Sequence, residues 1–133
     1  DTWQRHAFDT IKGADYLGGL ICPGVLSSAR ALGCETAKLP RPTLELDDDA
    51  VRPGRSTMDS LNQGLVFGFA AMVQGLVERL ERTLATEGER AFVVATGGFA
   101  PRIAAVCPRI DAVAASLVLE GIRLAAFGHG EEG

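Results

Sequence analysis

The residues in this chain that could do chemistry fall into three sets. The first is Thr96-Gly97-Gly98, which follows Phe92-Val93-Val94-Ala95. Four apolar residues, two of them β-branched, running into Gly-Gly predict a buried parallel strand that stops at Thr96 in a ligand-facing loop. Two glycines let the backbone turn with positive φ and approach a bound group with no Cβ between, and Phe99 to Val106 is read as a short helix behind them. The same step also describes an ordinary tight turn, so it names no ligand by itself. The second set is Asp47-Asp48-Asp49, bracketed by Pro40, Pro42 and Pro53. Three consecutive carboxylates cannot converge on one ion from a regular element, so a solvated turn is expected there rather than a metal site. The third is Cys22, Cys34 and Cys107, odd in number, far apart and without Cys-x-x-Cys spacing. Neither a disulfide frame nor a zinc site follows, and a reducing cytoplasm is the expected setting.

The elements that must position these residues are legible from pattern. Ala7 to Ile11 and Tyr16 to Ile21 flank Lys12-Gly13-Ala14-Asp15, which predicts two antiparallel strands joined by a hairpin loop. Pro23 suits the first turn of a helix of about ten residues, with Val25, Leu26, Ala29 and Leu32 at helical spacing and Gly33 placed to end it. Ser56 to Thr86 is the longest helical pattern, with Ser56 and Asp59 in capping-box positions and Glu78 four residues before Arg82. Its first half is apolar on nearly every face, yet Gly64, Gly68 and Gly75 each cost about 1 kcal/mol of helix propensity relative to alanine. Close approach of a neighbour would offset that cost, so this helix is expected to be covered by its own sheet and by a partner chain. Ile110 to Val113 reads as another short strand. Ala114 to Phe127 reads as a closing helix with Leu117, Ile122, Leu124 and Phe127 toward the core, followed by a frayed tail from Gly128.

Composition limits the alternatives. A chain of 133 residues is long enough for one domain with one core, taken here as 1–133. A net charge of −4, with arginines scattered along the chain, leaves no basic face for a nucleic-acid backbone. The longest uncharged run, Ser60 to Val77, is short of the ~20 apolar residues of a membrane span and carries Asn62, Gln63 and Gln74. Neither a nucleic-acid partner, a membrane partner nor a signal peptide is expected.

Five blocks, taken in order, carry a resemblance. Tyr16 to Gly24, Ala31-Leu32 with Thr36 to Pro40, Gly54 to Gly64, Thr96-Gly97-Gly98, and Leu117 to Ile122 together resemble the second domain of type III pantothenate kinases. The resemblance implies an α/β, ribonuclease-H-like domain of the actin and sugar-kinase type, a mixed sheet with flanking helices. It implies ATP-dependent phosphorylation of pantothenate toward coenzyme A, with Mg2+ and a monovalent cation, K+ or NH4+. It also implies nucleotide contact at Thr96, Gly97 and Gly98, pantothenate contact at Thr57 across a subunit interface, and assembly through the Ser56 to Thr86 helix. Aligning the family's phosphate loop puts Asp1, also a chain end, on its cation-binding aspartate.

The departures are as informative. Trp3 stands where that loop has glycine and Gln4 where it has the phosphate-binding threonine, which predicts weak ATP binding by the chain alone. Gly13-Ala14-Asp15-Tyr16 imitates the family's Gly-x-Asp-Arg motif without its arginine, inside a hairpin link, so no catalytic base is assigned. Two readings follow. One is a subunit or half of a pantothenate kinase, homo- or hetero-oligomeric, whose separate first-domain partner supplies the base. The other is a non-catalytic, kinase-derived interaction protein.

Overall fold

The computed structural model describes residues 5–35, 39–84, 88–117, 120–121 and 123–124. Strand β1 (Arg5–Lys12) turns through Gly13 and Ala14 into β2 (Asp15–Pro23), and the two pair antiparallel from Arg5↔Pro23 to Lys12↔Asp15, with one irregularity between Thr10 and Ile11. The expected hairpin is therefore present, with both strands longer than the pattern suggested. Helix α1 (Val25–Glu35) follows at once. Pro23 closes β2 instead of opening this helix, and Gly33 lies within α1 instead of ending it. Helix α2 (Thr57–Leu84) is the spine of the domain. Beyond it come β3 (Val94–Ala95), α3 (Ala100–Val106) and β4 (Ala112–Val113).

One apolar cluster joins these elements. Leu65, Val66, Phe69 and Ala70 of α2 meet Val25 and Ala29 of α1, Ile103 of α3, and Leu44, Phe99 and Cys107 from the connections. Val66 and Cys107 are the most completely buried large side chains. Each such apolar side chain contributes about 1.5–3 kcal/mol by leaving water. The hairpin docks on the same helix, with the His6 ring edge-on to Phe69 at 5.1 Å.

His6 makes this docking sensitive to acid. Its Nε2 is buried without a hydrogen-bond partner, and burial holds its pKa below the ordinary 6.5. A depressed folded-state pKa gives stability that is full above pH 6.5 and is lost as pH falls toward the folded value. Urea midpoints measured at pH 7.5 and 5.5 are therefore expected to drop less for His6→Phe, which keeps a ring against Phe69, than for the parent. Equal drops in the two proteins would refute this.

Three expectations need correction. The mixed sheet is present as two separate pairs, antiparallel β1-β2 and parallel β3-β4, because no ladder joins β1 to β3 among the described residues. The strand before the glycine turn is parallel as expected but not buried: Phe92 is 72% exposed and Val94 42%. Helical turns occur at Leu117 and beyond, yet Leu117 and Leu124 face solvent, with no described element packed over them. Ile122, Phe127 and the tail from Gly128 lie outside the described residues, as does Thr86 at the end of the long helix. Helix α2 is also long and apolar enough, by length and composition, to cross a membrane, although only 33% of its most apolar window is buried within this chain.

Candidate functional site

The glycine turn is held by the parallel pair beneath it. The carbonyl of Val93 accepts the N–H groups of Asp111 (2.9 Å) and Ala112 (3.2 Å), and that of Ala95 accepts Ala114 N–H (2.8 Å). Asp111 anchors the start of the pair. Its carboxylate accepts from Arg90 (2.7 Å) and from Val93 N–H (2.7 Å), and these bonds, Arg90 first, hold its pKa below the usual carboxylate range. Glu81, near the end of α2, accepts Ala91 N–H at 2.8 Å and pairs with Arg109, so helix and strand are tied at the same end. Above this base Gly97 has φ of 101°, a conformation that L side chains rarely adopt. Its carbonyl accepts Ala100 N–H at 3.2 Å, which closes the turn into α3. Phe99 and Ala100 are buried, while Gly98 is exposed. The turn thus offers bare backbone to solvent on a rigid support.

Thr57 is the first residue of α2 and is exposed. Ser56 caps the helix, its Oγ accepting Asp59 N–H at 3.1 Å. The reciprocal half of the capping box is redirected, because the Asp59 carboxylate accepts Arg55 N–H (3.0 Å) and Arg52 (2.7 Å). Those two bonds, the Arg55 N–H first, hold Asp59 below the usual carboxylate range. Gly54 is required by close approach: a Cβ there would lie 2.4 Å from the backbone nitrogen of Ser60. Arg52 also pairs with Asp47 at 2.7 Å and lies 3.9 Å from Asp48, so the aspartate run is an exposed bend gathered around one arginine.

A polar clamp that pattern reading missed lies one turn further along. Asn62 and Gln63 are each 4% exposed within an otherwise apolar helix face. Asn62 Oδ1 accepts Leu44 N–H, and its Nδ2 donates to Thr43 Oγ1, both at 2.9 Å. Gln63 Oε1 accepts Arg52 N–H at 3.2 Å. Arg102 of α3 donates to the carbonyls of Thr43 and Leu44, each at 3.4 Å. Two adjacent amides in an apolar run were the available signal. The elements that carry Thr57 and the glycine turn are joined by the shared apolar cluster and by the Thr43-Leu44 loop, which bonds both α2 and α3. Asp1, Trp3 and Gln4 lie outside the described residues. Among the described residues no group of three or more His, Cys, Asp or Glu could hold a metal ion, so no cation site is drawn from them.

Comparison with known proteins places this arrangement. A solved Campylobacter jejuni structure, named for the Baf family of transcriptional activators, superposes with a TM-score of 0.58 over 95% of this chain and 55% of that one, at 18% identity. That likeness defines the class of fold, an α/β domain. A family model described as type III pantothenate kinase matches residues 6–79. The type III pantothenate kinase of Nitratidesulfovibrio vulgaris (strain Miyazaki F) is 56% identical over 93% of this chain and 46% of its own length. That of Thermus thermophilus is 40% identical over 98% of this chain and 50% of its own. The chain belongs to the type III pantothenate kinase family, and it spans about half the length of the relatives it matches.

Proposed function

We propose that these residues form the second-domain half of a type III pantothenate kinase, a ribonuclease-H-like domain of the actin and sugar-kinase type. In this reading the assembly phosphorylates pantothenate with ATP in the cytoplasm, and the half by itself is inactive. One observation carries the reading: strong identity to kinases over nearly the whole chain, but over only about half of each kinase. Phosphoryl transfer depends on positioning and charge stabilisation by groups on both sides of the transferred phosphate. The Thr96-Gly97-Gly98 turn supplies exposed backbone for the nucleotide, and no residue described here is placed as a base.

In this reading a second subunit covers α2. Gly64 and Gly68 are exposed, and a Cβ built on either meets nothing within 4 Å. Thr57 lies two turns before Gly64 and about three before Gly68, hence on the same helix face. A partner seated on the glycines would therefore bring Thr57 to the subunit boundary, where a pantothenate bound by the other subunit could reach its hydroxyl.

The test is reconstitution. The 133-residue chain, assayed alone with ATP, Mg2+ and K+ or NH4+, is expected to show no phosphorylation of pantothenate. Adding the separately produced remaining half of the Nitratidesulfovibrio vulgaris relative is expected to restore it. Turnover by the pure chain would reject the half-enzyme reading, and a stable mixed complex without turnover would favour a non-catalytic role.

A further inference from the structure

Leu44 is held from three sides. Its N–H donates to Asn62 of α2 at 2.9 Å, its carbonyl accepts from Arg102 of α3 at 3.4 Å, and its side chain is buried in the cluster that contains Phe99 and Ile103. It has φ of 59°, and elsewhere among the described residues positive φ is confined to glycine. A residue with a side chain persists in that conformation only where its surroundings over-determine it. The two elements it joins lead to the two halves of the proposed site. Asn62 lies about one and a half turns after Thr57 on α2, and Arg102 stands in the first turn of α3, directly behind the glycine turn. The carbonyls of Phe99 and Gly97 accept the N–H groups of Arg102 (3.1 Å) and Ala100 (3.2 Å), which ties the base of that side chain to the turn. Apolar contact between α2 and α3 is non-directional, whereas hydrogen bonds to fixed carbonyls set a position.

We propose that Arg102 is a positioning residue: through the Thr43 and Leu44 carbonyls it fixes where the backbone of Gly97 and Gly98 stands relative to the start of α2 and Thr57. This rests on the reading above, in which the glycine turn meets the nucleotide and Thr57 the acceptor substrate. Arg102 is exposed and both of its bonds are 3.4 Å long, so they add little to the stability of the fold. Their effect is on geometry. A group displaced by about 1 Å from its working position can lower a rate by about 100-fold, so weak bonds suffice where they govern position. Because α2 is the spine of the domain, it is the glycine turn, and not Thr57, that shifts when Arg102 lets go.

Two variants test this. Arg102→Met keeps the aliphatic stem and removes both bonds, whereas Arg102→Lys keeps a charged donor. In the full chain alone, hydrogen exchange at the Ala100 amide is expected to quicken by about five-fold in Arg102→Met, while the Val66 amide and the urea midpoint stay at parent values. In the assembly with the separately produced remaining half of the Nitratidesulfovibrio vulgaris relative, Arg102→Met is expected to raise KM for ATP by about ten-fold and to leave KM for pantothenate within about two-fold. Arg102→Lys is expected to recover most of both changes. An Ala100 amide that exchanges at the parent rate in Arg102→Met would overturn the proposal, as would an unchanged KM for ATP. A urea midpoint and a Val66 exchange rate that move together with Ala100 would reduce Arg102 to a structural role and overturn it equally. A loosened Ala100 in an assembly that never phosphorylates pantothenate keeps the hold of Arg102 on the turn and rejects the kinase reading. Turnover with Ala100 exchange and KM for ATP both unchanged does the reverse.

Discussion

Gly68→Leu is expected to weaken self-association of this chain by about 100-fold while making the monomer slightly more stable. The two effects have opposite signs for one reason. Within the chain position 68 is exposed and a Cβ there meets nothing within 4 Å, and replacing a helix-interior glycine recovers about 1 kcal/mol of propensity. In the proposed interface, with two copies of α2 packed on each other, the same side chain would enter twice, and overpacking costs about 1–3 kcal/mol at each site. Sedimentation velocity at tens of micromolar, beside a urea melt of the same samples, reads both quantities. A parent chain that is monomeric there, or a variant that associates as well as the parent, would sink the interface.

The second large effect is on stability. Asn62→Ala is expected to cost about 2–4 kcal/mol, because it strands the buried N–H of Leu44 and opens a cavity beside it. Leu44 itself has φ of 59°, uncommon for a residue with a side chain, so its loop stays folded only while neighbours hold it. Thr43→Ala removes one bond and leaves the Leu44 N–H paired, so its cost is expected near about 1 kcal/mol. Chemical denaturation of the two variants gives the ranking. An Asn62→Ala protein within about 0.5 kcal/mol of the parent would show that the clamp is incidental, since surface changes away from special features fall in that range. Arg102 bonds the same loop, so loosening it is also expected to loosen α3 and the glycine turn that feeds it.

Much of the candidate site was readable before any coordinates. Ser56 as a cap, α2 behind it, the turn after Ala95 and the short helix from Ala100 all depend on chemistry within a few residues along the chain. The strand of Val94 was legible as a strand, but its burial was not, because burial belongs to whatever packs against it. In the sequence Asn62 and Gln63 stand only as polar interruptions of an apolar run. Their partners Leu44, Thr43 and Arg52 lie far enough away in sequence that no local periodicity connects them.

The sequence by itself therefore determined the hairpin, the helices, the Gly97 turn and the kinship, since propensity, capping and ordered motif blocks are properties of neighbouring residues. Only the tertiary structure decided that His6 lies on Phe69, that Gly54 must lack a side chain against Ser60, and that Asn62 holds the Leu44 N–H. Those facts come from contacts between segments distant in the chain, and such contacts are selected by the packing of the whole domain.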